Sequence, residues 1–292
     1  MIYLIELITR IIQKNMRMLV KLFNFFVLRS QELYWFIKAT PKNIFAWICD
    51  KYNRNFYKNL TFQQTCDARR SDTVFICGTG YSILDITPNQ WDRMNQHDIL
   101  SFRDFPRQTF IDVDFHVTGE VDNIDEYVSY LINNPLYDDT VFLVQEGLLA
   151  VQGNIIIGRK KLNPSRKVCR YKRASRGVMS TYSRSFADGI VHGNGSVVGM
   201  VNLAYLMGWK NIILVGIDMY DHRYFFQSPD QTRPVEKQGL TYKDPFPQGI
   251  NIASHLGMWR DEMLLEGVYL SVFNPKSLLA ERLPVFDFSS LK

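Results

Sequence analysis

The sequence predicts an α/β fold, a mainly parallel sheet with helices on both faces, and three observations support it. Short apolar runs rich in β-branched residues recur at residues 73–77, 98–102, 115–118, 140–144, 211–215 and 268–273. Helical patterns separate them over residues 123–133 and 197–207 and from His255 onward, and strands alternating with helices are the mark of βαβ units. The runs are apolar on both faces, as strands between two helix layers must be.

A chain of 292 residues with 46% hydrophobic content buries one large core or two modest ones, which excludes a disordered protein. The net charge of +5 is uneven: residues 1–60 hold ten Lys/Arg against three Asp/Glu, a net of +7, which leaves −2 for the remainder. Cysteines 49, 66, 77 and 169 form no CxxC pair and no dense framework. Neither a zinc site nor a disulfide scaffold is indicated, and a reducing, cytosolic compartment fits.

Residues 1–28 are apolar but carry Glu6, Arg10, Lys14, Arg17 and Lys21, and no cleavage site of small residues follows. They read as neither a signal peptide nor a span. On a helix those charges share one arc with Thr9, Gln13 and Asn24, facing a wide apolar surface, the form of a segment lying in a membrane interface. Aromatic residues among lysines over 30–58 suit headgroup depth. Residues 1–70 are therefore expected to be a helical, membrane-associating extension working through 1–60, with a helical hairpin packed on protein as the competing reading. The charged stretch 66–72 sets the expected boundary, with a second domain over 71–292.

That domain opens with strand 73–77 followed by GTGYS, in which Gly78, Thr79, Gly80 and Ser82 are placed to hand a phosphate or ribose to backbone amides. A third glycine would fall at Ile83, so a dehydrogenase fingerprint is absent while a Rossmann-like nucleotide-binding sheet stands. Residues 195–220 read as a helix, a Gly208 stop, the strand 211–215 and then a polar exit with Gly216, Asp218 and Tyr220. Ligands of open α/β sheets bind beyond the carboxyl ends of the strands, so these residues are site candidates; the plain alternative is a strand exit with a capping Asp. Arg103 and Gly119 follow two further strands.

Asp112 and Asp114 have D-x-D spacing but precede their strand, so a solvated loop is the expectation rather than a metal site. Residues 159–176 hold nine Lys/Arg and no acid. They suit a solvated loop or a platform for an anionic acceptor or lipid, and with only Tyr171 interleaved they do not suit nucleic acid. Residues 221–254, with four prolines across 221–247, read as a lid. His255, at the hinge between that lid and a helix, is a candidate general base, while His97, His116, His192 and His222 read as capping or core residues.

VFICGTGYSILDI, GSVVGM followed by a Gly-Trp-Lys turn and IILVGIDMY, a single His after the lid, and the closing NPKSLLAERLP together resemble the bacterial CMP-sialic acid-dependent sialyltransferases that decorate lipooligosaccharide. The resemblance spans about residues 72–286. It implies a metal-independent, inverting glycosyltransferase without a cofactor, in which His255 deprotonates the acceptor hydroxyl and Tyr220 and Tyr224 bond the phosphate of departing CMP. Gly78, Thr79, Gly80, Ser82, Ser196, Gly216 and Asp218 would hold the nucleotide. Arg103, Gly119 and Asn194 would face the donor sugar, with Lys276 and Ser277 in the closing loop. The family's asparagines are replaced by Thr79, Arg103 and Gly119, and its arginine before the central helix by about Gly193. The expected donor is thus a CMP-activated sialic acid or related 2-keto sugar acid, with Arg103 pairing its carboxylate.

The partners expected on this reading are a glycan or glycolipid acceptor and the membrane surface, without nucleic acid, and a homo-oligomer is left open. The location is cytoplasmic, peripheral on the inner face of the plasma membrane. Two alternatives stay: a Mg²⁺-dependent pyrophosphokinase of the hydroxymethylpterin type, and a non-catalytic glycan- or lipid-associated subunit.

Overall fold

The computed structural model describes residues 41–292 except 120, 122, 148–149, 175–180, 194, 220–222, 229–246 and 291–292. The chain divides into two compact units, Met1–Phe45 and Ala46–Lys292. The expected interfacial helix falls on residues outside this description. Among the described residues no helix is long and apolar enough to cross a membrane.

Eight strands form one sheet: β1 (Lys58–Leu60), β2 (Thr73–Cys77), β3 (Asp98–Phe102), β4 (Phe115–Thr118), β5 (Val141–Gln145), β6 (Lys167–Tyr171), β7 (Asn211–Val215) and β8 (Tyr269–Val272). Their spatial order is β1-β6-β5-β4-β3-β2-β7-β8, and every pair is parallel. Parallel neighbours need crossovers, and among the described residues seven α-helices supply or flank them. These are α1 (Pro41–Tyr52), α2 (Phe62–Asp67), α3 (Pro88–Met94), α4 (Ile124–Asn133), α5 (Val151–Gly158), α6 (Ser196–Met207) and α7 (Pro247–Leu265).

Because side chains alternate along a strand, β2, β3, β5 and β7 each feed two cores. Val74, Ile76, Leu100, Leu143 and Leu214 pack with α6 and α7. Phe75, Cys77, Ile99, Phe142 and Val215 pack with α3, α4 and α5 on the other face. Two of the helices start where their sequences can satisfy orphan amides: Thr87 caps α3 in a capping box with Gln90, and Asn123 accepts from the Glu126 amide to start α4. Gly208, at φ +89°, ends α6 in the left-handed conformation read from the sequence.

Three features differ from the expected layout. The compact unit begins at Ala46, and β1 closes one sheet edge upstream of the boundary expected near residue 70. Asp50 on α1 pairs with Arg170 on β6 at 2.8 Å, tying this early segment to the sheet. The last helix starts at Pro247, so His255 lies well inside it rather than at its hinge with a lid. The basic stretch 159–176 is divided among structural roles: Lys167–Tyr171 is strand β6, Arg166 is buried against Asp138 at 2.9 Å, and Lys161 pairs with Asp125.

Candidate active site

Strand order reverses at β2, whose chain continues to β3 on one side while β7 returns on the other. A crevice beyond the carboxyl ends of such a pair is where open α/β sheets hold ligands. The two glycine turns read from the sequence meet there. The Gly78 amide donates to Val215 O and the Gly80 amide to Gly216 O, each at 2.8 Å. Neither turn tolerates a side chain, because a Cβ on Gly80 would lie 2.5 Å from Asp218 Oδ2 and 2.7 Å from Gly216 O. Gly216 itself sits at φ +62° against Ile83.

Asp218 is 3% exposed, and its carboxyl group clamps the crevice. It accepts from the Ser82 amide at 3.0 Å, from the Ser82 hydroxyl, and from Asn274 Nδ2 at 2.9 Å. Ser277, in the closing loop, donates its hydroxyl to Ile217 O at 2.6 Å, and the Leu278 amide donates to Asp218 O at 3.1 Å. Lys276 is held through its amide, which donates to Asn274 Oδ1 at 2.9 Å. The structure thus joins the turn after β2, the exit of β7 and the closing loop. Asn274 was missed in the sequence; its only signal there is its place at the head of NPKSLLA.

The segment after β7 folds back over the first glycine turn. Tyr224 forms an antiparallel bridge with Gly80, the Phe225 amide donates to Thr79 O at 3.2 Å, and Arg223 lies 4.2 Å over the Tyr81 ring. Tyr224 remains 37% exposed and stacks on Phe226 at 5.4 Å. Tyr220 and Asn194 lie outside the described residues, as does most of the expected lid.

Beside this crevice the ends of β3, β4, β5 and β6 and the start of α6 enclose a cleft of about 270 Å³. Arg103, Gly119 and Ser196 line it, together with Thr118, Gln145, Gln152, Arg173 and His192. Arg103 turns into it at φ +56° and Gly119 at φ +139°. His255 lies in α7 with no exposed surface, its ring edge-on to Trp259 at 4.6 Å. The turn at Gly193, φ +48°, covers it so closely that a Cβ there would be 2.8 Å from His255 Cε1.

Two further histidines, His116 and His192, take different places. His116 is a core residue: Nδ1 pairs with the Ser101 hydroxyl at 2.7 Å and Nε2 with the Tyr127 hydroxyl at 2.5 Å, and burial pushes its pKa down to about 3. His192, expected in the same role, instead lines the cleft. Asp114 is occupied at the opposite end of the sheet, accepting from the Ile99 amide at 2.9 Å and from Arg70 at 2.6 Å, and burial raises its pKa. Among the described residues no cluster of His, Cys, Asp or Glu is arranged to hold a metal.

Solved structures similar to this chain include the monofunctional α-2,3-sialyltransferase Cst-I from Campylobacter jejuni, 16% identical over 73% of this chain and 80% of that one, with a TM-score of 0.43. The sialyltransferase CstII from Campylobacter jejuni in complex with cytidine 5′-monophosphate is 18% identical over 73% of this chain and 84% of that one, also with a TM-score of 0.43. A variant of the sialyltransferase Cst-II in complex with CMP is 17% identical over 73% of this chain and 85% of that one, with a TM-score of 0.44. No family model matches this chain, and none of the curated proteins matches it significantly in sequence.

Proposed function

We propose that this protein is a CMP-sugar-dependent glycosyltransferase that transfers a sialic acid or related 2-keto sugar acid to a hydroxyl of a cell-surface glycan, with inversion and without a metal. The observation that supports it most is the convergence, at the point where strand order reverses, of Gly80, Asp218, Tyr224 and the closing loop. These are the segments on which the sequence resemblance rests.

The nucleotide lies along the turn after β2. The amides of Gly78, Gly80 and Ser82 are already spent on Val215, Gly216 and Asp218. Those residues, with Gly216 and Asp218, therefore shape the crevice, and Thr79 is the part of the turn left to meet a ligand. Ser196 starts α6, where backbone amides favour a negative group. The sugar acid occupies the adjoining cleft with its carboxylate toward Arg103, whose guanidinium suits bidentate pairing. The donor carries its own carboxylate and departs as a phosphate monoester, so phenol hydroxyls suffice where a diphosphate would call for a cation.

In the reaction the acceptor hydroxyl gives its proton to His255 while its oxygen attacks the anomeric carbon from the face opposite CMP. The bond from that carbon to the phosphate oxygen breaks, and Tyr224 and Tyr220 donate to the phosphate as charge gathers there. The Gly193 turn covers His255 in this structure, so the base reaches an acceptor only after that turn shifts on substrate binding. The basic residues upstream of the compact unit that begins at Ala46 would hold the enzyme at an anionic membrane surface beside its glycolipid acceptor.

Isothermal titration of the full chain with CMP, with ATP and Mg²⁺, and with UDP and Mn²⁺ tests the reading. Micromolar CMP binding without metal, weakened about tenfold in Tyr224→Phe, and loss of turnover without loss of CMP binding in His255→Ala are the expected results. Binding of ATP with Mg²⁺ and not of CMP replaces the reading with a pyrophosphokinase.

A further inference from the structure

We infer that His192 is a specificity-determining residue of the cleft, where its uncharged imidazole reads a hydroxyl of the bound sugar acid while Arg103 and Arg173 flank the acid group. The inference rests on the cleft belonging to a glycosyltransferase site, as proposed above.

His192 is 6% exposed and lines the cleft, and neither ring nitrogen has a hydrogen-bonding partner among the described residues. Leaving two buried polar atoms unsatisfied is costly, so such groups persist where a ligand or water completes them. Two neighbours hold the ring: Tyr171 lies nearly parallel to it, 6.0 Å between centroids at 12°, and a Cβ on Gly199 would lie 3.1 Å from it. Gly199 is therefore the residue that makes room for the ring on α6. Burial, reinforced by the neighbouring Arg173 charge, pushes the His192 pKa down to about 4.

The two open ring nitrogens facing the cleft decide the role. A neutral imidazole offers one N–H donor and one bare nitrogen acceptor, the complement of a hydroxyl, which both gives and takes. With so low a pKa it is a poor general base at neutral pH, so it does not duplicate the role proposed for His255. The rest of the lining fits the same ligand class. Arg103 and Arg173 bring two guanidinium groups, Thr118, Gln145 and Ser196 bring uncharged polar groups, the Gln152 amide is spent on the Val121 backbone, and no carboxylate is present among these lining residues. An anionic, polyhydroxylated molecule the size of one sugar residue matches all of it.

The test is nitrogen NMR of the full chain labelled with ¹⁵N-histidine, with the His192 ring signals assigned through His192→Gln. CMP, CMP-N-acetylneuraminic acid and free N-acetylneuraminic acid are added in turn. The expected result is a shift of several parts per million at a His192 ring nitrogen with either sugar acid and none with CMP alone. In parallel, His192→Phe should raise the KM for CMP-N-acetylneuraminic acid about tenfold at little cost in kcat, with CMP affinity unchanged, and His192→Gln should restore most of it. Unmoved ring signals with both sugar acids, in a protein that binds CMP, overturn the inference and leave the nucleotide reading intact. A His192 shift with free N-acetylneuraminic acid in a protein that does not bind CMP supports the inference and overturns the nucleotide reading.

Discussion

Replacing Asp218 with alanine removes the group on which three donors from two segments converge. The Ser82 amide, the Ser82 hydroxyl and the Asn274 amide all lose their acceptor. Each orphaned buried donor costs about 1–3 kcal/mol, and the Ser82 hydroxyl recovers part of its share by rotating. The expected loss is about 3–5 kcal/mol. Asp218→Asn should cost less, about 1–3 kcal/mol, because its carboxamide keeps one acceptor. It cannot serve all three donors, since its NH₂ must face either the Ser82 amide or Asn274, and Asn274 is fixed by the Lys276 amide at 2.9 Å. Urea denaturation of both variants gives the stability, and CMP titration gives the functional cost. Both should bind CMP more weakly, because the glycine turn is no longer pinned to the exit of β7. An alanine variant within about 0.5 kcal/mol of the parent would refute the clamp.

Two further outcomes follow from other positions. His116 and His192 have pKa values lowered to about 3 and about 4. A lowered histidine pKa means that the unfolded chain binds the proton first. Stability is therefore complete above the unfolded value of about 6.5 and falls with pH until the folded values are passed. By pH 5 each histidine should cost about 2 kcal/mol, about 4 together, opposed by Asp114, whose raised pKa works with the other sign. Urea midpoints at pH 7.5 and 5 check this, and a His192→Gln variant that keeps the whole drop contradicts it. Gly193→Ala places a Cβ 2.8 Å from His255 Cε1 at φ +48°. Turnover should fall more than tenfold while CMP affinity holds, and unchanged kcat would separate His255 from the chemistry.

Legibility in the sequence followed burial. β2, β3 and β7 are buried along most or all of their length, so they appear as largely apolar runs, and the glycines that follow β2 and β7 are visible as punctuation. β6 was hidden because Arg170 and Lys167 sit in it, and Arg170 is neutralised by Asp50, 120 positions away. β1 has three residues and no buried one. The start of α7 was obscured because Pro247, Gln248 and Gly249 carry turn signals into a helix. Within the site, residue types pointed to the crevice but not to the partners. Asp218 read as a ligand contact because Ser82 and Asn274, 136 and 56 positions away, supply the bonds that occupy it. His192 read as core because Tyr171 and Gly199 meet its ring only in the fold.

The strand order also governs how the chain is made. Strand β1 waits for β6, with Lys58 pairing to Lys167, and the central strand β2 waits for β7, with Thr73 pairing to Asn211. Until residues 211–215 leave the ribosome, one edge of the wholly apolar-cored TVFIC segment stays open to other chains. A nascent protein stalled before β7 should therefore depend on chaperones, and one stalled after β8 should not.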